Sequence, residues 1–140
     1  MAILVEAKGH EFAEAEAKIG PLPGFRHLRQ PEIGLVMLRG RVGGAGAPFN
    51  VGEATVTRCF IVTEAGTEGA AYHLGRDLKK AERAALFEAL AREAPWRERI
   101  EAALLTPVRE RLALEQAAEA ARAASTRVDF FTMVRGEDER

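Results

Sequence analysis

Cys59 is the only cysteine among 140 residues, so no disulfide closes within the chain and a reducing compartment suits it. The three histidines, His10, His27 and His73, stand apart, without HxH, HxxxH or cysteine-adjacent spacing, so no metal site is expected. Ser125 is the single serine. It excludes a G-x-S-x-G nucleophile and Ser-rich disorder alike. Apolar runs of membrane length and a basic-then-apolar leader are missing, so the expected location is the cytoplasm, with no membrane association. A net charge of −1 argues against general affinity for nucleic acid. Lysine is scarce too: only Lys8, Lys18, Lys79 and Lys80 stand beside the many arginines. Arginine is the better residue for bidentate contacts to carboxylate or phosphate, although an Ala/Arg/Glu-biased genome produces the same skew.

What remains, 47% hydrophobic and 29% charged, is the composition of one globular domain spanning 1–140. Residues 7–19 read as a helix, broken by Gly20, Pro21, Pro23 and Gly24. Residues 32–42 and 53–63 read as strands, the second rich in Thr, Val and Ile, and 43–52 reads as a loop between them. A turn at Glu64–Glu68 leads to a third strand, 69–75. Asp77 suits the cap of a helix over 78–93 with the apolar stripe Leu78, Ala81, Ala85 and Leu90, stopped by Pro95. A short helix over 97–105 follows, then Thr106 and Pro107 as cap and first residue of a helix to about 124. Strands and helices are segregated and connections are short. The expected class is α+β, an antiparallel sheet of about three to four strands with helices packed on it and a strand-like C-terminal tail.

The glycine loop lacks the Lys-Ser/Thr of a P-loop, and Phe49 occupies the last glycine position of G-x-G-x-x-G. Cys59, in mid-strand, reads as packing rather than as a nucleophile. A meander would bring Arg39, Arg41, Arg58 and Arg76 to one sheet edge beside Gly43, Gly44 and Gly46. Guanidinium groups and free backbone N–H groups there could hold an anion such as a phosphate. Equally, Glu53 and Asp77 at that edge could neutralise the arginines in ion pairs.

The tail, STRVDFFTMVRGEDER, poses a separate question. As a strand, Val128, Phe130, Thr132 and Val134 share one face, and Arg127, Asp129, Phe131 and Met133 the other. Apolar groups on both faces need cover on both sides. Either the segment threads into the domain or another chain encloses it.

Three stretches, GRVGGAGAPFNVGEATVTRC (40–59), YHLGRDLKKAERAAL (72–86) and STRVDFFTMVRGED (125–138), together resemble PhnG, a subunit of the bacterial carbon–phosphorus lyase system for phosphonate use. The run from Arg127 through Arg135 to Gly136 is the most specific of them. The resemblance implies a hetero-oligomer with PhnI-, PhnH- and PhnJ-type subunits, two copies of each. In that complex the adenine of ATP is replaced at the ribose anomeric carbon by an alkylphosphonate. It implies no cofactor in this chain, ATP as substrate of the complex, and metal and radical cofactors on partner subunits. The chain would support the transfer mainly as a scaffold, without catalytic groups of its own. Residues 125–136, with Arg127, Val128, Asp129, Phe130, Phe131, Thr132, Met133, Val134 and Arg135, would form a subunit interface. The alternative from another class is a free-standing homodimer that binds a small phosphate-bearing ligand at the arginine and glycine edge.

Overall fold

The structure, a computed structural model, describes residues 2–127. The expectations for Val128 to Arg135 therefore lie outside the described residues. The chain is α+β: helix α1 (Ala2–Glu6), helix α2 (Gly9–Ile19), strands β1 (Phe25–Arg41), β2 (Pro48–Thr63) and β3 (Glu68–Leu74), then helices α3 (Leu78–Leu90), α4 (Ala94–Ile100) and α5 (Thr106–Ser125). Residues 1–110 form one compact unit. A second begins at Arg111; its described part is the remaining turns of α5 and residues 126–127.

The three strands form an antiparallel meander in the order β1-β2-β3. β1 and β2 are both longer than their composition suggests. Pro31 reads as a barrier to a strand, yet β1 begins at Phe25. Pro31 falls where the pairing with β2 is irregular, between Arg29 and Glu32, and β1 is an edge strand. Both are places where the lost N–H of a proline costs least. β2 likewise begins at Pro48 rather than 53, because pairing with β1 continues past Gly52 to Arg41↔Pro48. The loop shrinks to a short turn, in which Gly43 and Gly44 take φ of +60° and +79°, values that L side chains rarely adopt.

One face of the sheet carries Thr57, Cys59, Ile61, Ala71 and His73, all buried. Helix α3 lies on this face; every residue from Ala84 to Leu90 is buried. It is enclosed from the far side as well, where α1 contacts it and Phe12 of α2 meets Phe87 at 5.5 Å between ring centroids. The expected stripe holds at Ala81, Ala85 and Leu90. Leu78 departs from it, 42% exposed at the first turn.

Asp77 caps α3 as expected, its carboxylate accepting from the Lys80 N–H at 2.9 Å. His73 secures the same corner, with ring nitrogens 2.9 Å from the Leu74 carbonyl and 2.8 Å from that of Asp77. Glu88, buried on α3, accepts from the Ala70 N–H and from Arg92. No buried side-chain nitrogen or oxygen among the described residues lacks a hydrogen-bond partner.

Two helix boundaries differ from expectation. Pro95 does not stop α3, which ends at Leu90; it sits in the first turn of α4, where its missing N–H costs nothing. Nor is Thr106 an N-cap. Its φ and ψ of −64° and −51° are helical, and its N–H donates to Glu101 O, five residues back, closing a π-helical turn over Glu101–Leu105. That wider turn accommodates Pro107 inside a continuous helical path, where a regular α-turn would clash with its ring.

Gly69 marks the closest approach of sheet and helix. A Cβ there would lie 2.1 Å from the Ala85 carbonyl oxygen and 2.9 Å from the Ala89 methyl. Gly69→Ala is expected to lower stability by about 1–3 kcal/mol, the usual cost of overpacking. Gly34→Ala, where nothing lies within 4 Å, should shift it by less than about 1 kcal/mol. Thermal denaturation of both variants measures the difference.

Candidate functional site

The sheet register decides what the arginines can do together. Arg41 lies opposite Pro48 and Arg39 opposite Asn50, both at the β1–β2 turn. Arg58 lies opposite Glu32 on one side and Tyr72 on the other, in mid-sheet. Pro48 and Arg58 are ten positions apart on β2, about 30 Å at the usual rise per strand residue. Arg76 follows β3, whose Leu74 pairs with Val56. The four arginines therefore do not meet at one edge. The meander forms as expected, but its strands differ in length. The long β1–β2 hairpin carries its turn far beyond the end of β3.

Each arginine has its own surroundings. Arg58 Nε donates to Glu32 at 2.5 Å, and Arg29 contacts the same carboxylate at 3.2 Å. Hydrogen bonding to Glu32, then to Tyr72, holds the Arg58 guanidinium more firmly protonated than usual. Two guanidinium groups share one carboxylate, so a positive charge remains on this face. Arg41 donates to the Gly46 carbonyl at 2.9 Å and helps close its own turn. A shallow hollow of about 560 Å³ lies there, lined by Arg39, Gly40, Arg41, Gly44 and Pro48. Gly43 and Gly46 belong to the same turn, and the Gly46 N–H donates to Val42 O. Arg39 and Arg76 make no ion pair among the described residues, and neither Glu53 nor Asp77 neutralises the set. Glu32, absent from the expected constellation, is the carboxylate that matters. Its signal was the run Arg29–Glu32 ahead of a strand.

The remaining reactive groups are occupied structurally. His27 Nε2 lies 2.7 Å from Glu82, tying β1 to α3. Cys59 is fully buried, and burial pushes its thiol up to about 11, with a smaller contribution from the Glu82 charge. Among the described residues no cluster of His, Cys, Asp and Glu could hold a metal ion. Among them, too, no helix is long and apolar enough to cross a membrane.

Among the described residues of the first unit, no helix lies on the face of the sheet turned away from α3. Val36, Leu38, Tyr72 and Leu74 are all exposed there, around the Arg58–Glu32 pair. Large exposed apolar areas of this kind mark surfaces that meet other macromolecules.

Fold and surface thus define an α+β domain whose sheet has an exposed apolar face, with His27 and His73 in structural hydrogen bonds and Cys59 in the core. The family model for the phosphonate metabolism protein PhnG matches residues 1–136, and the chain belongs to that family. It is 46% identical, over 138 residues, to the alpha-D-ribose 1-methylphosphonate 5-triphosphate synthase subunit PhnG of Rhizobium meliloti (strain 1021). That match covers 99% of this chain and 88% of the relative.

The Cys59 thiol supplies a pH test. Its pKa is raised on folding, so its contribution to stability is full below about 9 and is lost as pH rises through about 11. Urea midpoints recorded from pH 8 to pH 11 should fall more steeply for the wild type than for Cys59→Ala. Equal slopes would show that the thiol does not titrate differently in the two states.

Proposed function

We propose that this chain is a subunit of a ribose methylphosphonate triphosphate synthase, in the carbon–phosphorus lyase system, and that it acts mainly as a scaffold. The observation that carries the reading is the match along nearly the whole chain to a relative named as that synthase subunit. In the reading, ATP is the substrate of the complex, adenine is released and an alkylphosphonate takes its place on the ribose. The partners are PhnI-, PhnH- and PhnJ-type subunits, two copies of each, in the cytoplasm. The metal and radical cofactors belong to those partners. The uncovered sheet face and the structural employment of His27, His73 and Cys59 support a role in assembly.

The tail belongs to the same reading. Arg127, Val128, Asp129, Phe130, Phe131, Thr132, Met133, Val134 and Arg135 would be enclosed by the PhnI-type subunit, with main-chain pairing and with Phe130 and Phe131 in separate pockets. Co-expression of the tagged chain with the three partner types, followed by light-scattering mass, tests the whole. A stable multi-subunit particle is expected. A lone dimer that ignores those partners would overturn the reading in favour of a free-standing binder. Truncation after Ala124 should abolish the particle, whereas removal of Glu137 to Arg140 should leave it intact.

An anion-binding contribution by Arg41, Arg58 or Arg76, with Gly43, Gly44 and Gly46, is separable from scaffolding. Arg58→Ala and Arg76→Ala are expected to leave turnover of an assembled complex within about threefold, less than the loss of one strong charged contact would bring. A larger fall in turnover with assembly unchanged would place a guanidinium on a substrate phosphate.

A further inference from the structure

From Leu35 to Thr55, which pair with each other, the β1–β2 hairpin contains no buried residue. It is apolar on both faces. Leu35 and Met37, 63% and 52% exposed, share one face; Val36 and Leu38, 38% and 44% exposed, share the other. A strand pair that served only as a surface element would have one polar face. Its outer strand, β1, is also a sheet edge with main-chain groups open to pairing. The charge of this segment is net positive: between Leu35 and Thr55 it holds Arg39 and Arg41 against the single carboxylate of Glu53.

We propose that this hairpin is an assembly arm, enclosed on both faces by a different subunit of the complex, whose cleft has apolar walls and carboxylates set to meet Arg39 and Arg41. The proposal rests on the synthase-subunit reading above. It names a second interface, distinct from the tail and made of residues already folded in the free chain. Charge selects the occupant. Two copies of the arm meeting turn to turn would bring four guanidinium groups together against only the Glu53 carboxylate of each, which lies back along the strand opposite Met37, a repulsive arrangement. A partner with acidic groups at the foot of an apolar cleft satisfies both features. Because the arm is already paired along its length, docking requires little ordering, which favours affinity.

The test uses the full chain co-expressed with the other synthase subunits. Leu35→Glu alters one face, Leu38→Glu the other, and Arg39→Glu/Arg41→Glu the charge at the turn. All these side chains are exposed, and the one hydrogen bond lost is that of Arg41 to the Gly46 carbonyl in the turn, so the isolated variants should melt within a few degrees of the wild type. Recovery of partner subunits on the tagged chain should fall by at least about tenfold for each, the loss typical of a central interface residue. If a glutamate variant melts early, Leu35→Thr and Leu38→Thr keep the strand preference and remove most of the apolar contact. Wild-type recovery for both faces would overturn the arm while leaving the subunit reading intact. Failure of the wild type to recover any partner would remove both. An isolated dimer that Leu35→Glu or Leu38→Glu splits, or arm-dependent sedimentation with mixed phosphatidylcholine and phosphatidylglycerol vesicles, would assign the arm to a second copy or to a lipid surface and so overturn the proposal.

Discussion

The approach of helix α3 to strand β3 at Gly69 is the constraint on which the rest of the structure depends. With the Ala85 carbonyl so close that no Cβ fits between, helix and sheet meet almost backbone to backbone. Small residues on the helix, Ala81, Ala84, Ala85 and Ala89, make this possible. The seating also fixes the polar groups around it. Glu88 reaches the Ala70 N–H, and His73 reaches the start of α3, only because the two elements are this near. Burial of such groups is tolerable when their hydrogen bonds are complete.

One helix on one face sets the distribution of apolar surface. α3 is itself enclosed by α1 and α2, so the helices form successive layers on the same side of the sheet. The other face receives nothing among the described residues. A three-stranded sheet has too little width to be polar throughout one face while its central strand is built of Val, Thr, Phe and Ile. Phe60 and Tyr72 therefore pack edge-to-face on the uncovered side, and Arg58, Glu32 and Arg29 form the polar centre among them. The outer part of the hairpin, Leu35 to Thr55, has no buried residue on either face.

Much of this was legible in the residues. The segregation of strands and helices, the meander, the cap at Asp77 and the structural role of Cys59 all follow from local rules that hold without tertiary context. The misreadings have physical causes. Strand length at Phe25 and Pro48 was hidden because Pro31, Pro48 and Gly52 speak against strand locally, whereas an edge position and a partner strand override them. The helical path through Thr106 was hidden because a π-turn has no local signature that distinguishes it from a cap followed by proline. The arginine cluster failed for a related reason. Parity along a strand is a local property, but which residues meet across strands depends on register and on where each strand ends.

The class of fold, the order of the main strands and helices and membership of the PhnG family are carried by the sequence alone, because these depend on periodicity, capping chemistry and the order of side chains along the chain. It took the tertiary structure to show that Arg58 pairs with Glu32, that α3 is buried nearly all round, and that the β1–β2 hairpin is exposed on both faces among the described residues. Those outcomes rest on distances between residues far apart in the chain. Such distances are set by the register of three strands and by the one point, at Gly69, where a helix can come close enough to fix them.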